Sequence, residues 1–304
     1  MSIDTVAQVP LEPEPPKRLG ARERLRNVWA NGAGRGWLLV APALLAVAIV
    51  LVVPILSTIG STFTQDAGVL APYERFLGSG FRRAVLWRTV EIALITTVIS
   101  LAVGFCTALT VSRMGGRWRS VLIIAAVFPL LTNTVVRSFA WMIVLGKNGM
   151  INDTLLWLGV IGEPLTMLYT KGAVIVGLVY LFTPLMILSL VGVLENIDHD
   201  LTDAAASLGA GPAAVFRQVT FPLAVPGLIV GSVLVFTGAF TAYVTPALMG
   251  GTRQTVLATL MYQRAMVSFD WTAASTIAAI MTVITIAIVL IMGRLARAVN
   301  PAAT

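Results

Sequence analysis

Six apolar runs, each long enough to cross a lipid bilayer, constrain the fold of this chain more than any other feature. A membrane-spanning helix needs about 20 mostly apolar residues. Because every backbone N–H and C=O group in lipid must be bonded within the protein, long apolar runs in a bilayer become helices. We therefore predict an all-α integral membrane protein with six transmembrane helices, at 37–59, 89–111, 121–145, 174–194, 223–247 and 271–292.

The composition excludes an ordinary soluble domain. The chain is 57% hydrophobic and only 12% charged, whereas soluble domains are about 25% charged. Three prolines, Pro184, Pro226 and Pro246, interrupt the fourth and fifth runs. Membrane helices tolerate such prolines when neighbouring helices or polar side chains bond the freed carbonyl groups.

Lysine and arginine residues indicate which loops lie in the cytoplasm, since cytoplasmic loops carry an excess of them. They are more frequent in the N-terminal tail, the loops after the second and fourth runs, and the C-terminus than in the other loops. The excess of lysine and arginine in the first set of segments comes mainly from the N-terminal tail and from Arg113, Arg117 and Arg119. We therefore predict that both termini are cytoplasmic.

The two ends of the chain differ in composition from the six-span domain at 37–293. Residues 1–16 combine four prolines with acidic and small residues, which predicts a disordered tail. Residues 17–36 are basic and carry apolar side chains at helical spacing, which predicts an amphipathic interfacial segment. Residues 294–304 form a predicted cytoplasmic tail. A cleaved signal peptide is not expected, because the first apolar run starts late and is too long.

The motifs of several enzyme classes are missing from the sequence. It contains no Gly-x4-Gly-Lys-Ser/Thr loop for ATP phosphates, no Gly-x-Ser-x-Gly and no His-Glu-x-x-His. Its one cysteine, Cys106, cannot form a disulfide within the chain, and its one histidine, His199, cannot build a metal site with it. The positive charge flanks the membrane and needs no nucleic acid to explain it. We predict a conduit that binds no cofactor of its own.

A short polar segment separates the fourth and fifth apolar runs. Asp200 is predicted to cap a helix, with Asp203 completing a capping box three residues later. Gly209 is predicted to end this helix in the left-handed conformation. Pro212 then opens a second short helix, which Pro222 ends. The pattern alone is compatible either with an ordinary helical hairpin on the membrane surface or with a surface that another protein binds.

The same segment resembles the EAA loop of permease subunits of binding-protein-dependent ABC importers. The match comprises Asp203-Ala204-Ala205, Gly209 and Val219-x-Phe221-Pro222, with Asp, Val and Phe where that family has Glu, Ile and Leu. In that family the loop is a coupling helix that docks into a separate ATPase. The resemblance extends over 37–293 and implies a type I permease fold with a coupling loop at 195–222. The implied ATPase-coupling residues are Asp203, Ala204, Ala205, Ser207, Leu208, Gly209 and Ala210.

Three further stretches, 136–141, 145–152 and 243–251, resemble the spermidine/putrescine branch of this family. The resemblance implies a bacterial inner-membrane protein that pairs with a second, homologous permease subunit. It also implies two ATPase subunits, which carry ATP and Mg, and a periplasmic or lipid-anchored substrate-binding protein. An external loop at 146–172 would meet that binding protein, although its Asn148-Gly149 pair is also typical of a plain tight turn.

The cargo implied by the resemblance is a small organic cation such as putrescine or spermidine. The same machine could import an amino-acid derivative, an opine, a phosphonate or another anion or zwitterion. Two other classes stay open: a secondary transporter and a membrane-bound accessory protein. A secondary transporter would need ionisable residues inside its spans, where the sequence offers only Arg137 and Glu91.

Candidate residues for the translocation pathway or its gate are Asn133, Arg137, Trp141, Phe240, Tyr243 and Glu91. The aromatic rings could bind alkyl-ammonium groups by cation–π attraction, worth about 0.5–2 kcal/mol each, or could form an interfacial belt or helix contacts. Arg137 is expected to pair with Glu91 or with an acid on the partner permease, to snorkel, or to contact the substrate.

Overall fold

The computed structural model describes residues 33–60 and 70–299. Within these two ranges the chain is helical, and no β-strand occurs. The predicted tail at 1–16, nearly all of the predicted interfacial segment at 17–36 and the last five residues lie outside the described part.

The first helix, α1 (Ala33–Gly60), is 28 residues long and contains the first predicted span. The chain divides into two compact units, one ending at Ser57 and the other beginning at Thr58, so most of α1 belongs to the first unit. The stretch Val40–Val50 within α1 is an apolar helical segment.

The second unit consists of helices joined by short connections. They are α2 (Ala71–Gly78), α3 (Gly80–Ser112), α4 (Gly116–Leu131), α5 (Thr134–Val144), α6 (Met150–Trp157), α7 (Lys171–Glu195), α8 (His199–Ser207), α9 (Pro212–Thr241), α10 (Leu257–Tyr262) and α11 (Trp271–Val299).

Four of these helices, α3, α7, α9 and α11, are long and apolar enough to cross a membrane. They confirm the second, fourth and sixth predicted runs and most of the fifth. Helices α4 and α5 together make a fifth possible span.

The third predicted run, 121–145, is not one straight helix. It is broken into α4 and α5, which are bent by 99° relative to each other. The break follows Pro129, whose ring cannot take part in an uninterrupted helical ladder. Asn133 then starts the new helix as its N-cap. The expectation of a continuous third span was therefore wrong, because a proline and a cap act together at this point.

Small residues let α3, α7 and α9 pack closely. A Cβ atom on Gly104 of α3 would lie 2.6 Å from the Met186 side chain of α7, and one on Gly231 of α9 would lie 2.5 Å from the Met186 sulfur. Such close approach at glycine is typical of helix contacts in membranes. The Thr183 hydroxyl donates to the Ser100 hydroxyl at 3.1 Å and adds a buried polar contact between α7 and α3.

The segment between α9 and α11 is folded into the protein. It contains π-helical turns at Pro246–Gly250 and Gln263–Val267 on either side of α10. Leu257 is fully buried, and its N–H donates to the Thr89 hydroxyl of α3 at 2.9 Å. Gly251 lies in this segment with φ of +55°.

We expect Gly104→Ala to lower the thermal stability of the detergent-solubilised protein, because the new methyl group overlaps Met186. Overpacking of this kind costs about 1–3 kcal/mol. The matched control is Gly192→Ala on α7, where a Cβ atom would meet nothing within 4 Å. Equal melting temperatures for the two variants would show that the α3–α7 contact does not depend on Gly104.

Candidate functional site

The polar segment between α7 and α9 begins with a capped helix. The Asp198 carboxylate accepts a hydrogen bond from the Asp200 N–H at 2.9 Å, so Asp198 is the N-cap of α8. The expectation that Asp200 caps the helix was wrong. Asp200 instead lies in the first turn, where negative charge interacts favourably with the helix dipole. Asp203 is exposed and forms no hydrogen bond within the described residues.

Helix α8 ends as the sequence predicted, in a Schellman motif at Gly209. The Gly209 N–H donates to the Ala206 carbonyl at 2.9 Å, and the Ala210 N–H donates to the Ala205 carbonyl at 3.1 Å. Gly209 has φ of +84°, and a Cβ atom there would meet nothing within 4 Å. The backbone conformation, and not a lack of space, therefore favours glycine at this position.

The predicted coupling residues form an exposed surface. Leu208 is 89% exposed at the end of α8. Asp203, Ala204, Ser207 and Gly209 are also exposed, whereas Ala205 and Ala210 are half-buried. The exposed Leu208 lies beside small side chains, which allow another protein to approach this surface closely.

The start of α9 joins this surface rigidly to a long helix. Gly211 is the N-cap and Pro212 the first helical residue, as predicted. Pro222 does not end the helix. The Phe221 N–H bonds to the Phe216 carbonyl across a π-helical turn, and a wider turn at this point makes room for the proline ring. The helix therefore continues without interruption to Thr241.

At the break between α4 and α5, Asn133 has a structural role. Its side-chain oxygen accepts hydrogen bonds from the N–H groups of Val135 at 2.8 Å and Val136 at 3.3 Å. These are two of the donors that a helix N-terminus leaves without an intrahelical partner.

The guanidinium group of Arg137 bonds free carbonyl groups on the other side of the same break. Arg137 is only 7% exposed. It donates to the carbonyls of Pro129 and Thr132 and to the hydroxyls of Thr132 and Thr134. A helix end leaves its last carbonyls free, and here a side chain from the next helix bonds them.

The expected pair between Arg137 and Glu91 is absent, because Glu91 has another partner. The ammonium group of Lys171, at the start of α7, lies 2.7 Å and 2.9 Å from the two carboxylate oxygens of Glu91 on α3. Glu91 was predicted as the partner of Arg137 from its opposite charge and its similar depth in the membrane. The carbonyl groups that Arg137 binds are freed by the bend between α4 and α5, which was not predicted.

The aromatic candidates lie in three different surroundings. Trp141 makes an edge-to-face contact with Tyr180 at 5.6 Å, and both border an apolar cavity of about 400 Å³. Phe240 is fully buried and stacks on Phe236 within the core. Tyr243 lies 4.7 Å from Tyr262 at a separate cavity of about 370 Å³.

Sequence reasoning missed Tyr180 and Tyr262. Tyr180 lies within an apolar run, where an aromatic residue carries no special signal, and Tyr262 lies outside the predicted runs, between the fifth and the sixth. Only the packing of the helices pairs these tyrosines with Trp141 and Tyr243.

Residues 100–304 match the family described as binding-protein-dependent transport system inner membrane component. The chain belongs to this family. It is thus a permease subunit of a binding-protein-dependent ABC importer and a multi-pass component of the bacterial inner membrane. The family supplies the membrane component of these systems, not the catalytic subunit.

Among individual proteins, the chain is 30% identical over 252 residues to the spermidine/putrescine transport system permease protein PotB of Haemophilus influenzae, covering 83% of this chain and 88% of that one. It is 30% identical over 240 residues to PotB of Escherichia coli, covering 79% and 87%. It is also 30% identical over 178 residues to the molybdenum transport system permease protein ModB of Mycobacterium bovis, covering 59% and 66%.

Solved structures share the fold. A chain of a bacterial ABC transporter involved in the import of the acidic polysaccharide alginate superposes with a TM-score of 0.75 at 17% identity, covering 90% of this chain and 99% of that one. A chain of the MetNI methionine ABC transporter superposes with a TM-score of 0.56 at 18% identity, covering 73% and 99%.

We expect Arg137→Ala to destabilise the break between α4 and α5. The carbonyls of the buried Pro129 and the half-buried Thr132 would lose a charged donor, and hydrogen bonds to charged groups contribute about 1.5–3 kcal/mol. Millimolar guanidinium chloride should restore part of the lost thermal stability, because the ion can occupy the vacated place. Sodium chloride should not.

The control for this variant is Arg253→Ala, since Arg253 is exposed and forms no bond within the described residues. Arg137→Lys should recover little, because an ammonium group lacks the planar fork that reaches several oxygens. A lysine variant as stable as the wild type would exclude a role for the guanidinium geometry.

Proposed function

We propose that this protein forms half of the transmembrane pathway of a polyamine importer, with putrescine or spermidine as cargo and ATP hydrolysis on partner subunits as the driving force. The single observation that carries the proposal is the similarity to the PotB permeases, which extends over most of both chains. The match to the molybdenum permease covers much less of this chain, so a polyamine is favoured over an inorganic anion.

The surroundings of Arg137 favour a structural role over direct contact with a charged cargo. A free buried cation in the pathway would repel a polyamine and suit an anion. Here the guanidinium group is held by four oxygens of its own helix break, so it is a positioning residue and not a substrate ligand. Trp141 with Tyr180, and Tyr243 with Tyr262, remain candidate contacts for alkyl-ammonium groups.

We propose six spans, formed by α1, α3, the bent pair α4–α5, α7, α9 and α11. The positive-inside rule then puts both termini and the 195–222 loop in the cytoplasm, and the 146–172 loop outside. Three hydrogen bonds of the Asn152 side chain hold the 146–172 loop in a defined conformation. The amide of Asn152 donates to the carbonyls of Gly146 and Leu165, and its oxygen accepts from the Leu165 N–H.

The coupling loop at 195–222 would dock α8 onto an ATPase subunit. The exposed Leu208 and the small residues beside it supply the surface, and the uninterrupted α9 carries the motion of the loop into the membrane. The complete importer would comprise this chain, a second permease subunit, two ATPase subunits that bind ATP and Mg, and a substrate-binding protein. This chain would bind no cofactor.

A second cargo class is compatible with the same machine. The fold is shared with importers of alginate and of methionine, so the architecture by itself does not select a cation. An amino-acid derivative, an opine or a phosphonate is the alternative cargo of the same permease. A secondary transporter is disfavoured, because Glu91 and Arg137 already have partners within this chain.

The deciding experiment is substrate-stimulated ATP hydrolysis by the complete importer in liposomes. We expect putrescine or spermidine to stimulate hydrolysis in the presence of the binding protein, and methionine or a phosphonate to leave it at the basal rate. Stimulation by an anion and not by either polyamine would overturn the proposed cargo while leaving the permease assignment in place.

We expect Gly209→Ala to reduce co-purification of the ATPase subunit. A side chain at φ of +84° costs about 1–2 kcal/mol, so the end of α8 should rearrange. The matched control is Gly211→Ala in the same loop, where φ is −69° and space is open. If both variants retain the ATPase equally, the Gly209 turn is not part of the docking surface.

Asp203→Lys tests the surface without disturbing the fold, because the Asp203 side chain is exposed and unbonded within the described residues. We expect unchanged thermal stability and weaker ATPase retention.

We expect single cysteines at Glu163 and Gly211, in a Cys106→Ala background, to react with a membrane-impermeant maleimide from opposite sides of the membrane. Both positions are exposed. Gly149 is unsuitable, since a Cβ atom there would lie 2.4 Å from the Ile143 carbonyl oxygen. Removal of Cys106 is necessary because it is also exposed. Labelling of both cysteines from one side would exclude the six-span topology.

A further inference from the structure

A cavity of about 860 Å³ lies behind α8, between the coupling loop and the ends of three spanning helices. It borders the last turns of α3 and α7, the first turn of α4 and the start of α9. Its volume falls in the range of roughly 300–1,000 Å³ that is usual for small-molecule sites. A single inorganic ion would leave most of it unfilled.

The charged lining of this cavity is positive overall. Arg119 at the start of α4 forms an ion pair with Glu195 at the end of α7, so these two charges cancel. Arg113, just after α3, also borders the cavity, and its side chain has no ion pair or hydrogen bond within the described residues. The Nε atom of Arg119 is buried and lacks a hydrogen-bond partner there. The cavity therefore has one uncompensated positive charge.

The rest of the lining is divided between polar and apolar groups. Ser112 and Asn196 stand near the arginines at the ends of α3 and α7, whereas Leu109, Leu194 and Phe216 provide apolar surface. The Phe216 ring belongs to a cluster of aromatic rings, and its centroid lies 5.9 Å from that of Phe105. A ligand that fits this lining has an anionic polar end and an apolar body.

The side chains around the cavity are typical of the membrane interface. Trp118 is 73% exposed between Arg117 and Arg119, and tryptophan and arginine are enriched at the level of the lipid headgroups. Basic pockets between membrane helices on the cytoplasmic side are known to bind anionic lipid headgroups.

We propose that this cavity binds the phosphodiester headgroup of an anionic phospholipid, with Arg113 as its principal charged contact and the upper acyl chains against the apolar lining. The proposal rests on the proposed orientation, which puts the coupling loop at the cytoplasmic leaflet. A lipid in this position fills the space between α8 and the spanning helices, so it supports the coupling helix from behind.

The test uses the purified full chain in detergent and native mass spectrometry to count bound lipids. The probes are phosphatidylglycerol, phosphatidylcholine and inorganic phosphate. We expect retention of phosphatidylglycerol in preference to phosphatidylcholine, without competition from millimolar inorganic phosphate. Equal retention of both lipids would overturn the proposal, and so would displacement of phosphatidylglycerol by phosphate, which would assign the cavity to a soluble anion.

The matched variants are Arg113→Gln and Arg117→Gln. Both remove one positive charge at the turn from α3 into α4, but only Arg113 borders the cavity. We expect about fivefold weaker phosphatidylglycerol binding for Arg113→Gln, as for loss of one arginine near an anionic headgroup, and no change for Arg117→Gln. Equal losses would show a general surface effect and would overturn the proposal.

Glu195→Gln supplies a test of opposite sign. Removal of this carboxylate frees Arg119 and adds one positive charge to the lining, so phosphatidylglycerol binding should strengthen. Weaker binding in a folded Glu195→Gln variant would contradict the electrostatic basis of the site.

Co-purification of the ATPase separates this proposal from the proposed function. Arg113→Gln should retain the ATPase while losing the lipid, because the docking surface is on the exposed side of α8. Loss of the ATPase with retention of the lipid would assign the cavity to the docking surface and would overturn the lipid proposal. Failure of the coupling prediction at Gly209 leaves the lipid measurements unaffected.

Discussion

The rest of this structure depends on the requirement that backbone polar groups in a bilayer be bonded within the protein. The apolar runs satisfy it as helices, and each interruption has a specific solution. At the break between α4 and α5, Asn133 bonds the free N–H groups and Arg137 bonds the free carbonyls. At Pro222 a π-helical turn makes room for the proline ring, so α9 continues past it. The Arg137 guanidinium group is therefore bonded within its own span.

Close packing at glycine holds α3, α7 and α9 together and connects the loop on one side of the membrane with the buried segment on the other. Gly104 and Gly231 both approach Met186, while Gly177 of α7 approaches Met249 in the segment after α9. These contacts leave little space between the three helices.

Five charged side chains of the described helices have partners within the chain. Glu91 pairs with Lys171, Arg119 pairs with Glu195, and Arg137 binds oxygens of its own bend. The two ion pairs connect α3 to α7 and α4 to α7. Few charges remain free inside the described spans. This agrees with a fold that is shared by importers of chemically different substrates.

Local sequence determined what depends on local chemistry: the apolar runs, the left-handed turn at Gly209, the helix start at Pro212 and the motif that indicates the family. Tertiary structure alone decided the 99° bend, the partners of Arg137 and Glu91, and the burial of Leu257 between the fifth and sixth predicted runs. Helix propensity, caps and turns act over a few residues, so a pattern can show them. The partner of a buried charge or of a freed carbonyl is chosen by which helices pack together, and that choice depends on contacts between residues far apart in the chain.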